Sequence, residues 1–133
     1  MDVIRRNTDY ALRLVIGLVG SYGRGPLSAK ALAYTADISF SMTSKLLQKL
    51  VSAKLAKSTM GKAGGFELVK LPSEISLYDV ILVFQGQVCL NQCIANPRSC
   101  PKSPKCLVSK KLAGLQSYIE KYLKDITLDE LLK

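Results

Sequence analysis

Histidine does not occur in the 133 residues, and that absence removes more chemistry than any other feature of the composition. Without imidazole the chain cannot by itself run Ser-His-Asp or Cys-His catalysis, nor build a His-liganded metal site. Long apolar runs are also missing. The most apolar stretch near the N-terminus, Leu14 to Val19, is six residues long, against the roughly 20 that a membrane-spanning helix needs. Asp9 and Arg13 interrupt it on the N-terminal side, where a secretory signal would stay apolar. The expectation is a buried first helix in a cytoplasmic protein with no membrane partner. There is no cofactor fingerprint, no conspicuous acid–base pair, and no repeat at a period of about 20–50 residues. Those absences argue against an enzyme.

Acids are scarce, with 10 Asp+Glu against 19 Lys+Arg, giving a net charge of +9 and a pI of about 9.5. That imbalance points to a polyanion or an anionic surface. It is uneven along the chain: residues 1–70 carry eleven Lys/Arg against four acids, and residues 71–133 eight against six. A phosphate-binding surface therefore belongs to the first half. What is plentiful is apolar. Hydrophobic residues make up 48% and charged residues 22%, the balance of a folded domain rather than a disordered tail. A chain this short buries only about two-thirds of its unfolded surface, so self-association would help it.

Periodicity organises the chain. Thr8 is expected to cap a first helix whose apolar residues Leu12, Val15, Ile16 and Val19 recur at three- and four-residue spacing. Residues 21–26, with two glycines and a proline, are loop chemistry. Ser28 then caps a short helix, and after a break at Asp37 and Ile38, Ser39 caps a third. That third helix sets Met42, Leu46, Leu47 and Leu50 on one face and Lys45 and Lys49 on the other, the pattern of a helix-turn-helix. Residues 55–59 and 66–70 read as strands around the turn Gly61–Gly65, which carries Lys62. A hairpin in that place is the wing of a winged helix. Pro72 ends it. Ser76 and Asp79 form a capping box for a helix running to about Gly86. From Leu107 helical periodicity returns, with Val108, Leu112, Leu115, Ile119 and Tyr122 forming a narrow seam suited to a second copy. Thr127 and Glu130 suggest one more capping box. The expected fold is mainly α with a small β-hairpin wing: a winged helix-turn-helix with a long C-terminal dimerisation helix. Residues 1–75 would bind DNA, and residues 76–133 would supply a linker helix, a cysteine loop and the dimer helix.

Cys89, Cys93, Cys100 and Cys106 fall within 18 residues, on a segment whose prolines Pro97, Pro101 and Pro104 are expected to forbid regular structure. Thiols clustered in this way in a cytosolic chain serve metal or redox chemistry more often than structural disulfides. No C-x-x-C pair is present, which disfavours a zinc ribbon and a thioredoxin-like site. Thiolates on an irregular loop suit an iron–sulfur cluster, because iron is soft and cluster sulfides spread charge over several ligands. Spacing leaves zinc, a metal-free thiol switch and unliganded cysteines as alternatives.

The order of these features is specific. Thr8-Asp9-Tyr10-Ala11-Leu12, the helix-turn-helix, the wing from Leu55 to Leu68, Ile75-Ser76-Leu77-Tyr78-Asp79-Val80, the cysteine loop and Ile126-Thr127-Leu128-Asp129-Glu130-Leu131 occur in sequence. This resembles the Rrf2 family of bacterial transcription regulators over nearly the whole chain. The resemblance implies a dimeric winged helix, cytoplasmic, binding a palindromic double-stranded DNA operator. It implies an iron–sulfur cluster (2Fe-2S or 4Fe-4S) on three loop cysteines, here Cys93, Cys100 and Cys106, whose state governs DNA affinity. In one branch of the family the fourth ligand is a histidine three residues past the last cysteine, where this chain has Ser109. In another it is an aspartate near the start of the first helix of the other subunit, the place of Asp9. Met60 stands where an arginine commonly precedes the wing glycine, Lys54 where a glycine is usual, and Cys89 is extra. For DNA, Ser28, Ser39, Ser41, Met42, Ser44 and Lys45 sit where helix starts meet base edges. Lys49, Lys54 and Lys62 suit phosphates. The alternative is a cluster-free family member governed by thiol oxidation or a protein partner.

Overall fold

The computed structural model describes residues 2–102 and 105–132. Helices α1 (Arg6–Gly20), α2 (Ala29–Ala36) and α3 (Phe40–Ser52) precede an antiparallel hairpin of β1 (Ala56–Thr59) and β2 (Gly65–Leu68). Helix α4 (Leu77–Gln85), a single turn α5 (Gln92–Ala95) and the long α6 (Leu107–Asp125) follow, and a 3-10 segment, Leu128–Leu132, is the last described element. The hairpin pairs Lys57 with Glu67 and Ser58 with Phe66. Among the described residues no helix is long and apolar enough to cross a membrane. The architecture is the expected helical fold with a two-stranded wing.

Local chemistry explains most helix ends. Ser28 accepts from the Ala31 N–H at 3.0 Å and Ser39 from the Met42 N–H at 3.2 Å, each satisfying a backbone donor that the first turn leaves open. Ser76 and Asp79 form both bonds of the capping box, at 3.0 and 2.9 Å. Gly86 closes α4 with φ of 73°.

Two starts differ from expectation. Thr8 is not a cap: helix α1 begins at Arg6, and Thr8 is fully buried in its first turn with no partner for its hydroxyl. The start is set from afar, because the Gln85 side-chain amide accepts from the Arg5 N–H at 2.9 Å and donates to the Val3 carbonyl at 2.8 Å. The buried face moves accordingly to Ala11, Leu14, Val15, Leu18 and Val19, leaving Ile16 exposed. At the other end Thr127 makes no capping box with Glu130. Its hydroxyl bonds the Asp129 carboxylate, and the turn closes by the Glu130 N–H donating to the Thr127 carbonyl.

One core joins the two halves. Leu14, Val15 and Leu18 of α1 meet Leu32, Leu46, Leu47, Leu50, Leu68, Ile75, Val80 and Leu128. Each such side chain contributes about 1.5–3 kcal/mol of burial. The chain end is stitched to the start of α4: the Leu77 N–H donates to Ile126 at 2.8 Å and the Leu128 N–H to Ile75 at 2.9 Å. The cysteine segment is more regular than its prolines suggest. It holds α5 and a 3-10 turn at Pro97–Ser99, where Pro97 stands in a first turn that needs no N–H from it. Pro104 lies outside the described residues.

Candidate nucleic-acid interface and thiol loop

Helix α3 buries Thr43, Leu46, Leu47 and Leu50 and turns Ser41, Lys45 and Gln48 to solvent. Those three lie at i, i+4 and i+7, one above another on a single face. Ser28 and Ser39 are exposed at the starts of α2 and α3 while serving as caps, and Met42 and Ser44 are half-buried at the edge of the face. The sequence reading missed Phe40, which opens the helix and is 60% exposed, and Gln48, whose signal was its three-residue step from Lys45. Lys49 leans elsewhere, with its ammonium 5.8 Å from the Phe84 ring of α4.

The wing is anchored to the body of the domain. The Phe66 N–H donates to the Leu27 carbonyl at 2.7 Å and the Leu27 N–H to Phe66 at 3.0 Å, so Leu27 lies alongside β2. Lys57 pairs with Glu67 across the strands at 3.1 Å, while Lys62 is exposed in the turn. Lys54 adopts a left-handed conformation, φ 63°, a region that glycine enters at least cost. A side chain in that region costs about 1–2 kcal/mol. Lys54→Gly is therefore expected to raise stability by about 0.5–1 kcal/mol, the gain being trimmed by the greater freedom of glycine in the unfolded chain. Chemical denaturation would read it, and a lower midpoint would refute the assignment of strain.

All four cysteines are free and half-buried. Two of them converge: Cys106 is the N-cap of α6 and its sulfur accepts from the Ser109 N–H at 3.4 Å, while the Cys93 sulfur lies 3.5 Å from the Ser109 hydroxyl. Among the described residues no three His, Cys, Asp or Glu side chains group closely enough to hold a metal ion, so Cys100 does not join this pair. The donor set suits a soft metal in kind, and the arrangement brings together two thiols of the three.

Cys89 is held apart. The buried Gln116 of α6 donates to the Val88 carbonyl and accepts from the Leu90 N–H at 2.9 Å, gripping the backbone on both sides of it. Glu120 accepts from Gln116 and from Gln87, each at 3.0 Å. These bonds, with Lys124 nearby, hold its carboxyl below the ordinary carboxylate range. Burial first, then Glu120 and Cys89, raise the Tyr78 phenol above its ordinary value. Asp9, in the first turn of α1, pairs with Arg13 at 3.0 Å and is exposed.

Helix α6 splits the expected seam. Leu112 and Ile119 are half-buried, whereas Val108, Leu115 and Tyr122 are exposed together with Tyr118, 71% exposed.

A capped helix-turn-helix with a cationic hairpin beside it, built on one core, defines a winged-helix DNA-binding regulator. The Rrf2 family model, described as an iron-dependent transcriptional regulator, matches residues 4–133, and the chain belongs to that family. The HTH-type transcriptional regulator CymR of Bacillus subtilis is 35% identical over 79 residues, 59% of this chain and 57% of that protein. Its solved structure, described as that of the global cysteine regulator of B. subtilis, superposes with a TM-score of 0.80 at 27% identity, covering 98% of this chain and 96% of that one. The solved structure of IscR from T. potens gives a TM-score of 0.78 at 26% identity, covering 96% and 85%. The HTH-type transcriptional regulator IscR of Vibrio atlanticus is 29% identical over 124 residues, 93% of this chain and 71% of that protein.

Proposed function

We propose that this transcriptional regulator acts as a cytoplasmic homodimer on a palindromic operator, with its DNA affinity set by an iron–sulfur cluster, 2Fe-2S or 4Fe-4S, on Cys93, Cys100 and Cys106. Residues 1–75 read DNA, and residues 76–133 sense and dimerise. The observation that carries the sensing half is the convergence of Cys93 and Cys106 on Ser109 at the start of α6, because a change at that pair acts directly on the dimer helix. Asp9, or an external donor, completes the ligand set. Bound there, a cluster would supply sensitivity to iron supply, oxidants and nitric oxide. The chain supplies the rest: Ser109 orients two sulfurs, α6 carries the loop to the partner, and α3 presents Ser41, Met42, Ser44 and Lys45 to base edges, with Ser28 and Ser39 at the helix starts. Lys49, Lys54 and Lys62 take phosphates.

A cluster-free thiol switch is the second reading, favoured by the separation of Cys100 from the other two and by likeness to CymR. The visible spectrum, with iron and sulfide content, of anaerobically purified protein separates the two. A coloured protein with stoichiometric iron and sulfide supports the first, and a colourless one the second.

The dimer has its own test. Val108, Leu115, Tyr118 and Tyr122 leave an apolar stripe uncovered on α6, and small chains gain by pairing such stripes. Leu115→Lys is expected to give a monomer by light scattering with helicity unchanged. A dimer surviving that charge would move the interface elsewhere.

A further inference from the structure

Two thiols of the loop stand where a single oxidising event can join them. The Cys93 S–H donates to the Ser109 hydroxyl at 3.5 Å, and the Cys106 sulfur accepts from the Ser109 N–H at 3.4 Å. Both sulfurs therefore lie against one serine, with α5 packed on α6. Sulfur is a weak donor and a weak acceptor, so closing a disulfide exchanges two weak contacts for one covalent link. The other two thiols are set apart. Gln116 grips the backbone on both sides of Cys89. Cys100 caps the end of the turn Pro97–Ser99 and, among the described residues, does not group with the converging pair. Cys106 also has an approach from solvent. It is half-buried and lines a surface cleft of about 550 Å³ together with Pro101, Lys102 and Lys105. Cysteines that react with oxidants are part-exposed, sit among cations and have a resolving thiol beside them.

We propose that Cys93 and Cys106 close an intramolecular disulfide when the protein meets a peroxide, with Cys106 the attacked thiol and Cys93 the resolving one. The pairing deepens the thiol-switch reading and rests on the loop being the sensor. In the first step the Cys106 sulfur takes one peroxide oxygen. The O–O bond breaks, an S–O bond forms, and water leaves with the thiol proton. The Cys93 sulfur then attacks the sulfenic acid. The S–S bond forms, and the hydroxyl departs with the Cys93 proton as a second water. Two thiols lose two electrons, and one hydrogen peroxide is reduced to two waters. The bond fastens α5 to the first turn of α6. It also consumes two of the three thiols that a cluster would need, so disulfide and cluster exclude each other.

The test uses the full-length protein, reduced and freed of metal under argon. It is treated with one equivalent of hydrogen peroxide, alkylated, digested and read by mass spectrometry. A linked Cys93–Cys106 peptide is expected, with alkylatable thiols falling from four to two and recovering fully in dithiothreitol. The mass on a non-reducing gel should stay that of one chain, since the bond is internal. Cys93→Ser should stop at a Cys106 sulfenic acid that dimedone traps, whereas Cys89→Ser and Cys100→Ser should form the bond as wild type does. A link through Cys89 or Cys100, a link between two copies, or four thiols surviving the peroxide overturns the proposal. Operator affinity, measured on the same samples, keeps the reading it rests on separate. A Cys93–Cys106 bond that forms and leaves affinity unchanged upholds the pairing and defeats the loop as sensor.

Discussion

Raising the salt from about 50 to about 200 mM is expected to lower the affinity of the dimer for its operator by roughly four orders of magnitude. The size follows from counting cations that face outward. Lys30, Lys49, Lys54 and Lys62 are exposed on α2, on α3 and along the wing, whereas Lys57 is paired with Glu67. Two protomers present the set twice, and about eight neutralised phosphates give a slope of log affinity on log salt near −7. Lys62→Ala should weaken all sequences alike and flatten that slope by about one unit for each wing. Lys45→Ala should act differently. It stands between Ser41 and Gln48 on the outward face of α3, so its loss should cost about 1–3 kcal/mol and change the preference among sites. A titration series across salt on the selected operator checks all three, and a slope near zero would remove DNA from the account.

The parts of the fold that were legible in the sequence are those decided within a few residues. Ser28, Ser39 and Ser76 with Asp79 cap their helices through bonds to a residue three positions on, so the residues that decide each start stand together in the chain. Thr8 was misread because its helix start is decided by Gln85, 80 residues away in sequence from Arg5. No local pattern carries that information. The same holds for Gln116. A glutamine in the middle of an amphipathic helix reads as solvent-facing until the Val88 carbonyl and the Leu90 N–H are brought against it. The seam of α6 was legible as an apolar stripe but not in its division, since the segment after α4 takes the Gln116 edge and leaves Val108, Leu115 and Tyr122 outside. At the loop, spacing identified the thiols as a set. The pairing of Cys93 and Cys106 through Ser109 belongs to the tertiary structure, because it needs α5 and the start of α6 side by side.

That pairing makes the second large effect specific. In anaerobically purified protein, Cys93→Ala, Cys100→Ala and Cys106→Ala are each expected to abolish the visible absorption and the bound iron and sulfide, because three loop thiolates leave no surplus ligand and no histidine exists to replace one. Cys89→Ala should largely spare both. Gln116 grips the backbone on either side of Cys89, whose thiol sits near Tyr78, so reaching the other sulfurs would break bonds of a buried amide at about 1–3 kcal/mol each. Asp9→Ala should behave in a third way. If the carboxylate releases Arg13 to reach the partner's loop, its loss should shift the spectrum and shorten the lifetime of the bound iron without emptying the site, since a carboxylate is a poorer ligand than thiolate for this metal. DNA affinity supplies the independent readout. The three ligand variants should differ from wild type by about 5–150-fold, the ordinary span of coupling between two sites, while Cys89→Ala should follow wild type. Bleaching by Cys89→Ala as complete as by the others would put the ligand set in error. An unchanged spectrum and unchanged coupling in Asp9→Ala would leave that residue as the partner of Arg13 and nothing more.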